Sequence, residues 1–286
     1  MTEKAQWTFL VYLAGDNNLE DFGRLDLQEM KRVGSSDQLH LVAQFDRMSD
    51  TAARRYRLTG SPNLQDDLIG EIPETNTGDP NALIAFLTWG ITQYPAERLA
   101  LVLWNHGAGW KDDDIYRVAQ RAVERGSISR GQVRGLTAGK TSRALFRSSI
   151  EKLVVESAQS PRAILFDDSS ADFLDNQELK RALATVQRNT GRKLDLLGFD
   201  ACLMNMMEVV YQVRRACQVV AGSQETEPGD GWPYDLILSQ LKETPSMDAR
   251  ALGKAIVQNY IQFYSQRHPD LPALPITVDA RRALRD

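Results

Sequence analysis

Two of the 286 residues are cysteine, three are histidine, and no apolar run approaches the length of a membrane span. Each scarcity excludes something. Cys202 and Cys217 are too few for a disulfide framework and lack metal-ligand spacing, so a free thiol is available. The longest apolar stretches, Trp7 to Ala14 and Leu99 to Trp104, fall far short of the roughly 18 residues that cross a bilayer. The start MTEKAQWTF has no apolar signal core, from which a cytoplasmic location is expected. Charge of one sign is also lacking: 34 basic against 38 acidic side chains leave a net charge of −4, which points to neither nucleic acid nor a membrane as partner.

What is present is a recurring order of apolar runs and amphipathic stretches. Trp7 to Leu13 and Leu39 to Phe45 read as strands, closed by AGDNN and by Asp46. Leu19 to Val33, with Leu19, Phe22, Leu25, Leu27 and Met30, and Asn81 to Tyr94 read as helices. Leu99 to Asn105 and Leu194 to Phe199 are continuous rather than alternating, which suits strands covered on both faces. A helix is expected from Cys202 to Arg215, and a strand from Cys217 to Ala221. Strand, helix, strand in this order predicts an α/β fold, a three-layer α/β/α sandwich with a mainly parallel sheet, whose ligands sit at the carboxyl ends of the strands. The stretch from about 111 to 161 has no strong strand and carries Arg117, Arg121, Arg125, Arg130, Arg134, Lys140, Arg143 and Arg147, so it reads as an exposed, mobile, basic insert.

LVLWNHGAGW places His106 just after one expected strand, and LDLLGFDAC places Cys202 just after another. If both strands are parallel in one sheet, both side chains reach the same rim. A thiol becomes a good nucleophile as thiolate, and an imidazole takes its proton and later delivers it to a departing amine. Gly107 lets backbone approach a ligand and offers an N–H to an oxyanion; the Cys202 N–H, at an expected helix start whose dipole favours thiolate, is a second donor. Taken singly, Cys202 reads as core packing rather than as a nucleophile, and His106 equally well as a turn residue or a catalytic one. Their joint placement at two strand ends favours catalysis. His40 reads as a satisfied core residue, His268 as a loop residue, Cys217, Met206 and Met207 as packing, and Trp232 as either packing or a pocket wall.

The blocks FLVYLAGDNNLE, LVLWNHGAGW, DDSSADFLDNQEL, LLGFDACLMNMMEV and GSQETEPGDGWPYD, in this order over nearly the whole chain, resemble the clostripain family of cysteine endopeptidases. The resemblance implies a caspase-like peptidase domain over residues 1–286, a dyad of His106 and Cys202, and cleavage of peptides and proteins after Arg or Lys. The acidic positions lining that family's basic-residue pocket fall on Asp200 and Asp230. Without the resemblance, Asp200 reads as a helix N-cap and Asp230 as a turn residue. Self-activation between the histidine and the cysteine gives the basic insert a use, with Arg125, Arg130, Arg134, Lys140, Arg143 and Arg147 as candidate cut sites. No cofactor is required; calcium is compatible with DDSSADFLDNQE and AGDNNLE but is not predicted, since neither has the spacing of an EF-hand loop. The end LPITVDARRALRD looks like a strand entering a helix where relatives commonly continue, so the chain reads as a shortened member or a fragment. The contrasting reading is a catalytically silent caspase-like scaffold that binds basic peptides.

Overall fold

The computed structural model describes residues 4–107, 163–167, 169–170, 172–225, 227–228, 230–267 and 276–280. The first strand, β1 (Ala5–Gly15), is followed by helix α1 (Glu20–Val33), β2 (Leu39–Arg47), β3 (Ala52–Arg57), β4 (Leu68–Pro73), α2 (Pro80–Gln93) and β5 (Ala96–Trp104). Then come β6 (Ala163–Asp167), β7 (Asp172–Asp175), α3 (Asn176–Thr190), β8 (Leu194–Asp200), α4 (Met207–Val213), β9 (Cys217–Ser223), α5 (Tyr234–Glu243), α6 (Ala249–Arg267) and β10 (Ile276–Ala280). The basic stretch 111–161, with Arg125, Arg130, Arg134, Lys140, Arg143 and Arg147, lies outside the described residues, as does His268.

Eight strands form one sheet in the order β10-β9-β8-β5-β1-β2-β3-β4, and β6 pairs with β7 beside it. The run from β9 to β2 is parallel, while β3, β4 and β10 are antiparallel additions at the two edges. Parallel strands need crossovers that cover both faces, and the core divides accordingly. One apolar cluster joins Trp7, Phe9, Val11 and Leu13 of β1 to α1, α5 and α6; the other joins Leu10, Tyr12 and Ala14 to α2, α3 and α4. This is the expected α/β/α sandwich.

Local chemistry sets the helix ends. Asp79 accepts from the Asn81 N–H with Pro80 at the first helical position, and Asp175 with Glu178 forms a capping box at α3, which stops at Gly191 in the left-handed region (φ 66°). Leu25, expected on the buried face of α1, is 57% exposed because it lies across the helix from Leu27. His40 is half-buried against Tyr94 rather than a satisfied core residue, and its Nδ1 has no hydrogen-bond partner among the described residues. Met207 is 60% exposed, also against expectation, because it opens the first turn of α4. Cys217 is packed at the start of β9.

Candidate active site

β5 and β8 are neighbours in parallel register, with Trp104 opposite Asp200. Two residues past that pair, each strand delivers a reactive side chain, His106 from one and Cys202 from the other. Both line one small pocket with Leu19, Asp200, Glu227 and Gly231. Beyond β5, Asn105 Nδ2 donates to the Ala14 carbonyl (2.5 Å), and its Oδ1 accepts the His106 N–H. This ties the histidine segment to the end of β1. The imidazole Nε2 stands 2.8 Å from Asn18 Oδ1, so with that amide orientation Nε2 carries the proton. Burial pushes the His106 pKa down to about 3, leaving the ring neutral.

Cys202 does not begin a helix. The chain turns from Ala201 to Met206, with Leu203 at φ 63° and its N–H bonded to the Glu225 carbonyl, and α4 starts only at Met207. A leucine in the left-handed region is held there by its surroundings, since its own preference opposes it by about 1 kcal/mol. The thiol thus gains no helix-dipole stabilisation. It is 3% exposed, accepts the Glu227 N–H at 3.2 Å, and is pushed up to about 12 by burial, with the Glu227 carboxyl adding to the shift. In this arrangement thiol and imidazole are a neutral pair.

Gly107 is fixed by space. A Cβ there would collide with the Cys202 carbonyl oxygen and come within 2.6 Å of Met204 Cγ, so the backbones of the two reactive residues pack directly together. Asp200 is not a helix cap: it ends β8, buried, and accepts from Tyr234 Oη (2.9 Å) and the Trp232 N–H (3.3 Å). Burial raises its pKa to about 6, against the pull of those donors. Asp230 is exposed on the adjoining turn and is not part of the pocket wall. Trp232 is fully buried under Gly198, where a Cβ would sit 2.8 Å from its Cη2, so it is packing.

Two further acids join Asp200, and sequence reasoning passed over both. Asp26, midway along α1, accepts from the Trp104 indole at 2.7 Å; Glu227 lies buried beside Asp200 and the Trp232 indole, outside hydrogen-bond geometry to either. Burial and mutual repulsion raise both carboxyls well above the usual range. Gly231, at φ 60°, brings the turn within reach of both Asp26 and Asp200. Asn18 was missed as well, although AGDNNLE and ETEPGD hold Asn18 and Glu227 within blocks that were singled out.

A second acidic group lies further along the same edge of the sheet. One carboxylate oxygen each from Asp16, Asp46 and Asp167 fall within 4.8 Å of one another, all three residues buried. Burial, with Glu74, Asp167 and Asp16 adding repulsion, raises Asp46 to about 8.

An α/β/α sandwich with a thiol and an imidazole on adjacent parallel strand ends is the layout of a caspase-like fold. The fold matches a secreted C11 cysteine protease of Bacteroides thetaiotaomicron, solved with an irreversible peptide inhibitor, at TM-score 0.67 and 21% identity over 98% of this chain and 67% of that one. An inactive zymogen C11 protease from Parabacteroides distasonis gives TM-score 0.66 at 20% identity, over 99% and 64% of the two chains. The family model for the clostripain family matches residues 11–125 and 151–277, and the chain belongs to that family. Clostripain of Hathewaya histolytica is 27% identical over 269 residues, 82% of this chain; the chain spans 42% of that relative's length.

Proposed function

We propose that this chain carries the active centre of a cysteine endopeptidase cleaving after Arg or Lys. The observation that carries the reading is the register of β5 and β8, which brings His106, Cys202 and Asp200 to one pocket. His106 takes the thiol proton, and the Cys202 sulfur attacks the scissile carbonyl carbon. The N–H groups of Gly107 and Cys202 receive the oxyanion, and His106 passes the proton to the leaving amine. Water, deprotonated by His106, then releases the acid from the acyl-enzyme and the thiol is restored. Asn18 holds the ring in one tautomer throughout.

Asp200 binds the P1 cation from below and Asp230 from the turn, with Asp26 and Glu227 adding negative charge behind. An uncharged P1 side chain would leave these carboxylates without a counter-ion. Turnover requires the segment carrying Glu227 and Pro228 to leave the thiol, since a group with a pKa near 12 and almost no exposure does not attack. Cleavage at one of Arg125, Arg130, Arg134, Lys140, Arg143 or Arg147 is the event we assign to that release. Pure Cys202→Ala protein nicked as readily as the wild type would refute self-cleavage.

The same buried thiol favours a second reading, a silent scaffold holding basic peptides. Fluorogenic peptides with Arg, Lys, Asp or Leu at P1, offered to folded wild type and Cys202→Ala, separate the two. Turnover confined to Arg and Lys and abolished by the substitution supports the peptidase; binding of Arg peptides without turnover by cut and uncut protein supports the scaffold.

A further inference from the structure

Across β1 and β2 from the pocket, the outer strand β3 carries three arginines in AARRYR, and they are furnished unequally. Arg54 is ion-paired with Asp50 and Glu71. Side chains alternate across a strand, so Arg55 and Arg57 share the opposite face, beside α2 and the Tyr94 that caps it. There the Arg55 Cζ stands 4.4 Å from the centre of the Trp89 ring, and the Arg57 Cζ 6.0 Å from that of Tyr94. Gln44, buried and opposite Arg55 on β2, accepts the Arg55 Nε–H at 2.9 Å. Neither guanidinium has an ion-pair partner or any further hydrogen bond among the described residues. Burial lowers the Arg55 pKa, the mark of a cation held partly out of water without a counter-ion. Beside it the face is open: Gly70, opposite Arg55 on β4, would meet nothing within 4 Å if it carried a Cβ.

We propose that this face of β3 and β4 docks an extended, acidic protein segment whose carboxylates pair with Arg55 and Arg57. The spacing fits, because alternate residues of a strand lie about 6.6 Å apart, as do alternate carboxylates of an extended chain. A guanidinium donates two parallel N–H bonds to a carboxylate, and Trp89 and Gln44 already hold Arg55 in place, which lowers the cost of ordering it. A long polyanion fits less well. β4 and the turns at its two ends carry Asp66, Glu71, Glu74 and Asp79, which repel a nucleic-acid backbone running past the two cations. The bare edge of β4 is not the docking element, since a register irregularity between Arg55 and Tyr56 and the terminal Pro73 disturb the ladder that an added strand needs. β1 and β2 lie between β3 and β5, so the docking face stands or falls independently of the proposed function.

The test uses the folded full chain and a fluorescent peptide of alternating Glu and Thr, which lacks the Arg and Lys of a substrate, against one of alternating Gln and Thr. Anisotropy should show the Glu peptide binding about 10-fold more tightly than the Gln peptide at low salt, and releasing as salt rises. Arg55→Gln combined with Arg57→Gln should weaken binding by roughly 10-fold, and lysine at both positions should recover only part of it, because an ammonium lacks the planar fork. Arg250→Gln, on α6 at the other face of the sheet, should behave as wild type. The His40 ring resonance gives a readout without substitution: the ring lies against Tyr94 and feels the Arg57 charge, so the Glu peptide should shift it and leave that of His106 unmoved. No binding by folded wild type, equal binding of the Gln peptide, undiminished binding by the double variant, as large a loss in Arg250→Gln, or an unresponsive His40 would overturn the docking face. Tighter binding of a short oligothymidylate than of the Glu peptide would overturn the choice of occupant.

Discussion

Two groups of three buried acids lie along the same edge of one sheet, and they are furnished differently. Around Cys202, Asp26 and Asp200 are served by the Trp104 indole N–H, the Tyr234 phenol and the Trp232 backbone N–H. Around Asp46 the neighbours are hydroxyls, backbone and further carboxylates, with no aromatic donor bonded to an acid among the described residues. Each group holds one buried carboxyl without a well-aligned hydrogen bond among the described residues, Glu227 in the first and Asp46 in the second. The difference lies in how the acids are served, by ring N–H and phenol donors in the first group and by hydroxyl and backbone donors in the second.

Substitutions should separate the two groups, and the largest effects belong to the pocket. Cys202→Ala or His106→Ala should reduce turnover by roughly 1,000-fold or more, measured on Arg substrates. Asp200→Asn should lower kcat/KM for P1 Arg by about 100-fold, and Asp46→Asn should leave the ratio of Arg to Leu cleavage unchanged. If Asp46→Asn alters that ratio, the two groups are not separate. The wild-type profile for Arg substrates should also fall as pH drops through about 6, where Asp200 becomes protonated, and Asp200→Asn should lose that limb.

Smaller effects concern stability. Gly107→Ala should destabilise by about 1–3 kcal/mol in urea melts, because backbone rather than a flexible side chain obstructs the new methyl group. His106 has a folded pKa near 3, below its unfolded value, so its contribution is complete above about 6.5 and is lost as pH falls toward 3. Between pH 7 and pH 5 the wild type should therefore lose about 2 kcal/mol more than His106→Gln. Parallel pH profiles would show that the ring is solvated rather than buried.

The strands that place the dyad were legible because β1, β2, β5, β8 and β9 are covered on both faces and read as apolar runs. β3 and β4, at the sheet edge with half-buried alternation (AARRYR, LIGEIP), left no such run, and β6 and β7 are too short to register. ACLMNMMEVV is apolar enough to suggest one helix from Cys202, yet Leu203 at positive φ and the extended Met206 cap break it. Asp26 looks like an ordinary polar residue of an amphipathic helix; its partner Trp104 is 78 residues away. Asp46 was visible only as a strand terminator, Asp16 and Asp167 only as members of two separate acidic blocks, and nothing in the sequence says that the three meet.

The central claim is that a nucleophilic Cys202 and a basic-residue pocket are one site. Its most direct measurement is mass-spectrometric mapping of labelling by a thiol-reactive peptide bearing Arg, against the same electrophile bearing Leu, on wild type and Asp200→Asn. The account predicts modification at Cys202 by the Arg reagent alone, suppressed in Asp200→Asn and by a non-reactive Arg peptide. Equal labelling by both reagents, or none at Cys202 in folded protein whether or not its basic stretch has been cut, would contradict it.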